Sequence, residues 1–134
     1  MHPNRSVLVR LTSGPPWYLS CTVESIGPDC LCRIDGGDRH VGAVALSQWR
    51  PEGAVVELLT VRGHKEQAIA ADAARVLCTA GRRSVVCIAG IHFDGIARAQ
   101  IEEIVRSVHE LTRLAAREIE SRRLHGSAVD LPEG

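Results

Sequence analysis

The stretch VVCIAGIHFDGIARAQIEEIV, residues 85–105, decides the fold. It begins within an apolar run over residues 84–89, and such a run is the pattern of a strand covered on both faces. From about Ala97 the apolar residues follow helical spacing, with Ile101, Ile104 and Val108 on one stripe. A buried strand that leads directly into an amphipathic helix predicts a sheet with a helix packed on it.

The rest of the chain supplies more strands and a second helix. Apolar alternation bounded by turn residues predicts strands over residues 6–12, 17–26, 30–34, 40–48 and 54–61. Helical spacing then predicts a helix over residues 64–80. The predicted order is a β-meander, a helix, a strand and a helix. We therefore expect one α+β domain over residues 1–126, a mostly antiparallel or mixed sheet with two helices packed on one face, and a flexible tail over residues 127–134.

Composition excludes several classes of protein. The chain has 134 residues with 16 basic and 16 acidic side chains, so no basic surface favours nucleic acid. No signal peptide or membrane span is apparent, and we expect a cytoplasmic protein without a membrane partner. The five cysteines include no CxxC pair, which argues against a disulfide framework. Cys30-x-Cys32 is interpreted as one face of a half-buried strand.

Three short segments combine glycine with histidine where a regular element begins. They are GGDRHVGAVAL (residues 36–46), VRGHKEQ (61–67) and AGIHFDG (89–95). We expect the polar groups of the three segments to share one cleft. The candidate binding residues are His40, Gly42, Gly63, His64, Lys65, Glu66, Gly90, His92 and Asp94.

The segment around Lys65 has the features of an anion seat. Gly63 lets a ligand approach the backbone, the first-turn N–H groups of the following helix are free, and Lys65 adds a countercharge. A solvated helix start, with Glu66 favourable in the first turn, explains the same residues without a ligand.

The segment around His92 has two interpretations. In the first, Gly90 lets the chain leave the strand sharply, Asp94 caps the next helix, and Asp94 also orients His92 toward a ligand. In the second, Asp94 is only a cap and His92 only fills space. Gly42 also has two interpretations, because a glycine in a strand marks close approach either by a ligand or by a packed neighbour.

The three histidines also permit a metal hypothesis. His40, His64 and His92 resemble a three-histidine zinc set, with Glu66 or Asp94 as a base. The chain has no HExxH spacing to support it, and Lys65 beside His64 disfavours a dication. We expect an anion site, with no metal ligands and no catalytic residues.

The motifs HVGAVAL, GHKE and AGIHFDG, in this order before an amphipathic helix, resemble the LpdD-type family of prenylated-flavin chaperones. The resemblance extends from about His40 to Leu114. Such proteins are associated with UbiD-type decarboxylases, which use prenylated FMN to remove carboxylate groups from aromatic or unsaturated acids.

The resemblance implies a protein that is not an enzyme. It would bind prenylated FMN, or FMN itself, and assist its delivery to or maturation in a UbiD-type decarboxylase. A small domain with few aromatic residues encloses a large ligand poorly, so we expect a homo-oligomer with the site at a subunit interface. The alternative is a small enzyme or an accessory subunit of a decarboxylase, with a histidine metal site.

Overall fold

The computed structural model describes residues 6–61 and 66–126. The strands are β1 (Val7–Thr12), β2 (Ser20–Ile26), β3 (Asp29–Gly37), β4 (Ala43–Arg50), β5 (Gly53–Thr60) and β6 (Val85–His92). The helices are α1 (Gln67–Gly81) and α2 (Arg98–Leu124). The predicted tail, residues 127–134, lies outside the described residues.

The six strands form one mixed sheet in the order β1-β2-β3-β6-β4-β5. Only β3 and β6 pair in parallel, while the other pairs are antiparallel. The predicted α+β class is confirmed. The predicted β-meander, in which β3 and β4 would be neighbours, was wrong at one point, because β6 lies between β3 and β4. Apolar alternation marks where a strand lies in the sequence but carries no information on which strand it pairs with.

Both helices pack on one face of the sheet, as predicted. α1 lies against β4, β5 and β6, and α2 lies against β1 and β2. The side of α1 that meets the sheet is small, with alanines at positions 70, 73 and 74 beside Leu77. The core is built from aliphatic side chains, alanines and cysteines, since the chain is poor in aromatics.

The cysteines belong to this core. All five are buried free thiols. Cys30 and Cys32 lie on the helix side of β3, which confirms the interpretation of their spacing. The Sγ atoms of Cys21 and Cys32 lie 3.9 Å apart, and their hydrogen bond together with burial raises the pKa of Cys21 far above its usual range. Thiols held in this protonated state are inert.

The other face of the sheet is uncovered by any described element; we refer to it as the open sheet face. Two adjacent rows of side chains cross it. The first row runs Arg10, Thr22, Arg33, Ile88, Val44 and Leu59, and the second runs Glu24, Leu31, Val86, Leu46 and Glu57. The face is therefore apolar over β6 and β4, with Arg33 and Arg10 toward one end of the first row and a glutamate at each end of the second. Leu46 is 39% exposed and Leu59 75% exposed.

Several element boundaries differ from those predicted. β2 begins at Ser20 rather than residue 17, β4 begins at Ala43 rather than residue 40, and β6 continues to His92. Gly90 therefore lies inside a strand and does not end it. Within the described residues, neither helix is long and apolar enough to cross a membrane.

The predicted helix cap at Asp94 was also wrong. The N-cap residue of α2 is Ala97, whose N–H donates to the Gln100 side chain at 2.8 Å. Gln100 at the third helical position thus accepts from the N–H of the N-cap residue, as in one half of a capping box. Asp94 stands three residues before this cap and has a different partner.

Candidate functional site

The candidate site lies at the sheet edge where β3 and β6 end and β4 begins. Since β3 and β6 are parallel, their carboxyl ends meet there, and Gly37 pairs with His92 in the register. The N–H of Asp38 donates to the His92 carbonyl at 2.9 Å, which fixes the segment after β3 beside the end of β6. Ligands commonly bind beyond the carboxyl ends of parallel strands.

The first polar pair at this edge, which we refer to as the buried pair, joins His40 to Glu66. His40 precedes β4, and Glu66 precedes α1 directly. The imidazole Nε2 lies 3.1 Å from Glu66 Oε1, and the two side chains are 21% and 10% exposed. The Ile91 N–H also donates weakly to Oε1, at 3.5 Å. Glu66 Oε2 is buried with no hydrogen-bond partner among residues 6–61 and 66–126.

Both ring nitrogens of His40 face an oxygen atom. Nδ1 lies 3.1 Å from the Asp38 carbonyl, while Nε2 faces the Glu66 carboxylate. His40 thus connects the segment after β3 to the residue that directly precedes α1.

Two glycines give the buried pair its room. A Cβ on Gly90 would overlap the carbonyl oxygen of His40, so only glycine lets the His40 backbone pass over β6. A Cβ on Gly42 would overlap the carboxylate of Glu66. The close approach expected at Gly42 is therefore made by the protein's own carboxylate.

The second pair, which we refer to as the exposed pair, joins His92 to Asp94. The imidazole Nε2 donates to Asp94 Oδ1 at 2.9 Å. The side chains are 51% and 88% exposed. Asp94 thus orients His92, as one of the two interpretations required, although it does not cap α2. Among the hydrogen bonds of the described residues, His92 uses only Nε2.

The two pairs meet. The ring centroids of His40 and His92 lie 6.4 Å apart, with the ring planes at 78°. Of the nine predicted binding residues, the structure brings six to this edge, namely His40, Gly42, Glu66, Gly90, His92 and Asp94. The other three, Gly63, His64 and Lys65, lie outside the described residues. The role of the nine in binding stays a prediction.

A possible metal ligand set overlaps the exposed pair. Donor atoms of Asp38, His92 and Asp94 all lie within 4.8 Å of one another. All three residues are exposed, and exposed carboxylates commonly cluster without binding an ion. The set differs from the three histidines of the metal hypothesis, since His40 is engaged with Glu66.

A cleft of about 460 Å³ adjoins these residues; we refer to it as the aromatic cleft. Its walls include Trp17, Tyr18 and Phe93, with Asp35 and Arg39 as charged groups. Trp17 and Phe93 touch edge to face, with ring centroids 5.1 Å apart. The Trp17 indole N–H donates to Glu103 of α2 at 3.1 Å, which fixes the ring.

The aromatic cleft was not predicted from the sequence. The signal present in the sequence was the scarcity of aromatics, which makes the adjacent Trp17 and Tyr18 conspicuous beside a turn. What the sequence does not reveal is that Phe93 meets them. That contact depends on β6 pairing with β3 rather than following a meander.

Comparison with protein families supports the resemblance noted in the sequence. The family model described as prenylated flavin chaperone LpdD-like domain matches residues 14–120. The chain belongs to this family. No curated protein gives a significant match. The LpdD-like match is longer than the motifs indicated, because it begins at residue 14 and so includes β2, β3 and the preceding turn with Trp17 and Tyr18 of the aromatic cleft.

The described part of the site fits a flavin in its polar groups. The ribityl hydroxyls and the polar ring edge of a flavin need both donors and acceptors, and the two histidine–carboxylate pairs supply both. Glu66 Oε2 is a buried acceptor that still lacks a partner within the described chain. Three carboxylates, Asp38, Glu66 and Asp94, stand at the histidines, so a phosphate belongs away from them, near a cation.

Proposed function

We propose that this protein binds prenylated FMN in the cytoplasm and assists its delivery to, or maturation in, a UbiD-type decarboxylase. The observation that supports this most is the convergence of two histidine–carboxylate pairs at one sheet edge, in a chain of the LpdD-like family. The protein has no catalytic step of its own in this proposal. The prenylated flavin supplies the decarboxylation chemistry once it is in the partner enzyme.

The residues divide into two roles. His40, Glu66, His92 and Asp94 hydrogen-bond the polar atoms of the ligand, and the glycines at 42 and 90 give the buried pair its position. Gly63, His64 and Lys65 form the phosphate seat. They directly precede Glu66 and α1, where the helix dipole and the lysine both favour an anion.

The direct test is calorimetric titration of the protein with enzymatically prepared prenylated FMN. We expect His92→Ala to keep the fold and weaken binding, because it removes an exposed contact and no buried volume. Lys65→Ala should weaken binding about tenfold or more, as expected for a charged hydrogen bond. Wild-type protein that fails to bind prenylated FMN, or to activate an apo decarboxylase supplied with it, would contradict the proposal.

A metal-dependent enzyme or an accessory subunit of a decarboxylase remains the second candidate, because of the Asp38, His92 and Asp94 set. It makes an opposite prediction. Elemental analysis of the purified protein would find a stoichiometric metal ion, and Asp94→Ala would remove it. Protein without metal that binds prenylated FMN supports the chaperone instead.

A homo-oligomer is also part of the proposal, and we propose the open sheet face as the contact between two copies. Arg33 and Glu57 occupy opposite corners of its apolar middle. A twofold axis lying in the interface places Arg33 of one copy against Glu57 of the second, and the reverse. The contact then buries apolar surface against apolar surface and pairs Arg33 with Glu57 twice.

Sedimentation equilibrium tests this contact. Leu46→Glu puts a charge in the apolar middle and should convert a dimer to a monomer. Leu124→Glu, on an exposed leucine near the end of α2, is the matched control and should leave the dimer intact. A monomeric wild-type protein would overturn this part of the proposal.

A further inference from the structure

We propose that the aromatic cleft is the seat of the flavin ring system. This rests on the proposed function and deepens it. The ligand lies along the sheet edge, with its ring in the aromatic cleft and its polar chain at the two histidine–carboxylate pairs. Four observations support this placement, and they are independent of the family match.

The first observation is where the aromatic side chains lie. The chain has four aromatic residues, and three of them line this one cleft. None of the four, all within the described residues, is fully buried in the core. Aromatic side chains are usually the largest contributors to a core. Here the core is aliphatic, and the aromatic surface is kept for an open cleft, as in sites that stack planar ligands.

The second observation is the backbone of Tyr18. Its φ of 51° is in the left-handed region, which is unfavourable for a residue with a Cβ. The side chain is nevertheless 63% exposed, so burial of the ring does not compensate for this conformation. Unfavourable backbone conformations that packing does not explain occur preferentially at binding sites. Tyr18 in this conformation lines the aromatic cleft.

The third observation is the chemistry of the rest of the lining. Arg39 presents a guanidinium, which can donate to the carbonyl oxygens of the pyrimidine end of a flavin ring. Asp35 can accept from the ring N–H between those carbonyls. A Cβ on Gly37 would overlap the His92 carbonyl and approach the Phe93 ring to 3.0 Å, so glycine at this position leaves space for the ring. The cleft thus combines aromatic walls with a donor and an acceptor.

The fourth observation is continuity with the histidines. Phe93 lies between His92 and Asp94 in the chain, and Arg39 is next to His40. The cleft lies over β2 and β3, and the buried pair lies by the start of β4, with β6 between them. Three strand spacings amount to roughly 14 Å. One extended ligand can therefore reach both groups of residues.

The test compares the affinity of prenylated FMN for matched variants, by titration calorimetry. Trp17→Ala and Phe93→Ala should each weaken binding about tenfold or more, the scale of a lost stacking contact. Trp49→Ala removes the same side chain at the far end of β4 and should leave the affinity unchanged. If an alanine variant fails to fold, Trp17→Phe and Phe93→Leu take its place, with smaller losses expected.

Tyr18→Gly separates a binding role from a structural one. Glycine accepts a φ of 51° without penalty, so thermal stability should stay the same or rise. Affinity for prenylated FMN should fall several-fold, because one wall of the aromatic cleft is lost. A residue that only supports the fold would not show higher stability together with weaker binding.

The outcomes distinguish the two proposals. If His92→Ala weakens binding while Trp17→Ala, Phe93→Ala and Tyr18→Gly bind as tightly as wild type, the ring lies elsewhere and only the cleft assignment falls. If wild-type protein does not bind prenylated FMN at all, the proposed function falls and the cleft assignment falls with it. Losses at the cleft and at the histidines together support both.

Discussion

The two histidine–carboxylate pairs have nearly the same distance between nitrogen and oxygen, but one pair is buried and the other is exposed. The buried pair joins atoms 3.1 Å apart with side chains 21% and 10% exposed, whereas the exposed pair joins atoms 2.9 Å apart with side chains 51% and 88% exposed. Glycines make the room for the buried pair at positions 42 and 90. Beside the exposed pair, a Cβ on Gly95 would touch nothing within 4 Å.

This difference assigns different tasks to two similar pairs. Charges in a buried pair interact through a low dielectric, and removing one partner leaves the other unsatisfied. An exposed pair is screened by water and contributes little to stability. The buried pair therefore holds the site together, while the exposed pair is free to exchange water for a ligand.

The largest effect should come from Gly90→Ala. Its Cβ would meet backbone, the His40 carbonyl, so the whole segment before β4 must move. We expect a loss of about 3 kcal/mol in the free energy of unfolding, at the upper end of overpacking effects. Urea denaturation measures it.

The control for Gly90→Ala is Gly14→Ala, where a Cβ would have no neighbour within 4 Å. This variant should be within about 0.5 kcal/mol of wild type. A Gly90→Ala protein as stable as the control would show that the His40 segment yields freely. The buried pair would then not be the rigid part of the site.

Gly42→Ala should have a smaller effect, because its Cβ meets chiefly the carboxylate of Glu66 rather than backbone. The carboxylate can move, at a cost of roughly 1–2 kcal/mol in the free energy of unfolding. That movement separates Glu66 from His40. We therefore expect a larger proportional loss in prenylated-FMN affinity than in stability, measured by calorimetry and denaturation on the same samples. Unchanged affinity would mean that the buried pair does not position the ligand.

A direct comparison of the pairs uses two isosteric substitutions. Glu66→Gln removes a buried charge that accepts from His40, and should cost about 1–2 kcal/mol of stability. Asp94→Asn makes the same change in the exposed pair and should cost less than about 0.5 kcal/mol. Thermal and urea unfolding of both variants give the two values. Equal losses would remove the distinction between the pairs.

The sequence predicted the content of this site better than its geometry. Glycine–histidine segments at element boundaries identified the residues of both pairs, but only the contact between His92 and Asp94 was expected from the sequence. The capping role of Asp94 was wrong, since any carboxylate shortly before a helix resembles a cap, and only the structure shows that Gln100 serves Ala97. The strand-breaking role of Gly90 was wrong for a similar reason. Sequence indicates that glycine is needed but not which neighbour requires it.

The sheet order shows a different limit. The apolar run before His92 predicted a strand covered on both faces. β6 is central in the sheet, but that prediction was wrong for one face, where Val86 and Ile88 lie on the open sheet face. The two neighbours of β6 depend on contacts between residues far apart in sequence, which a local pattern does not encode. The aromatic cleft depends on the same contacts, because Phe93 reaches Trp17 only when β6 lies beside β3. The N-terminal part of the chain therefore contributes to the aromatic cleft, although it carries none of the glycine–histidine motifs.

A third histidine–carboxylate pair provides the reference for the other two, and its removal should give the smallest effect. His109 Nδ1 lies 3.0 Å from Asp72 Oδ2 between the helices, and Arg113 donates to the same carboxylate at 2.7 Å. Burial raises the pKa of Asp72, but the hydrogen bond and charge of Arg113, with His109 and Arg75, outweigh it and hold the pKa below its ordinary value of 3.8.

A carboxyl whose pKa is lower in the folded state stabilises the fold above its unfolded pKa, and this contribution is lost as pH falls through the folded value. Asp72→Asn should therefore be about 0.5 kcal/mol less stable than wild type at about pH 7, and the difference should largely disappear at about pH 2.5. Urea unfolding at the two pH values measures it, with prenylated-FMN affinity expected to be unchanged because Asp72 lies between the helices. A loss of affinity in this variant would show that a pair far from the sheet edge also affects ligand binding. The position of the buried and exposed pairs would then not explain their role.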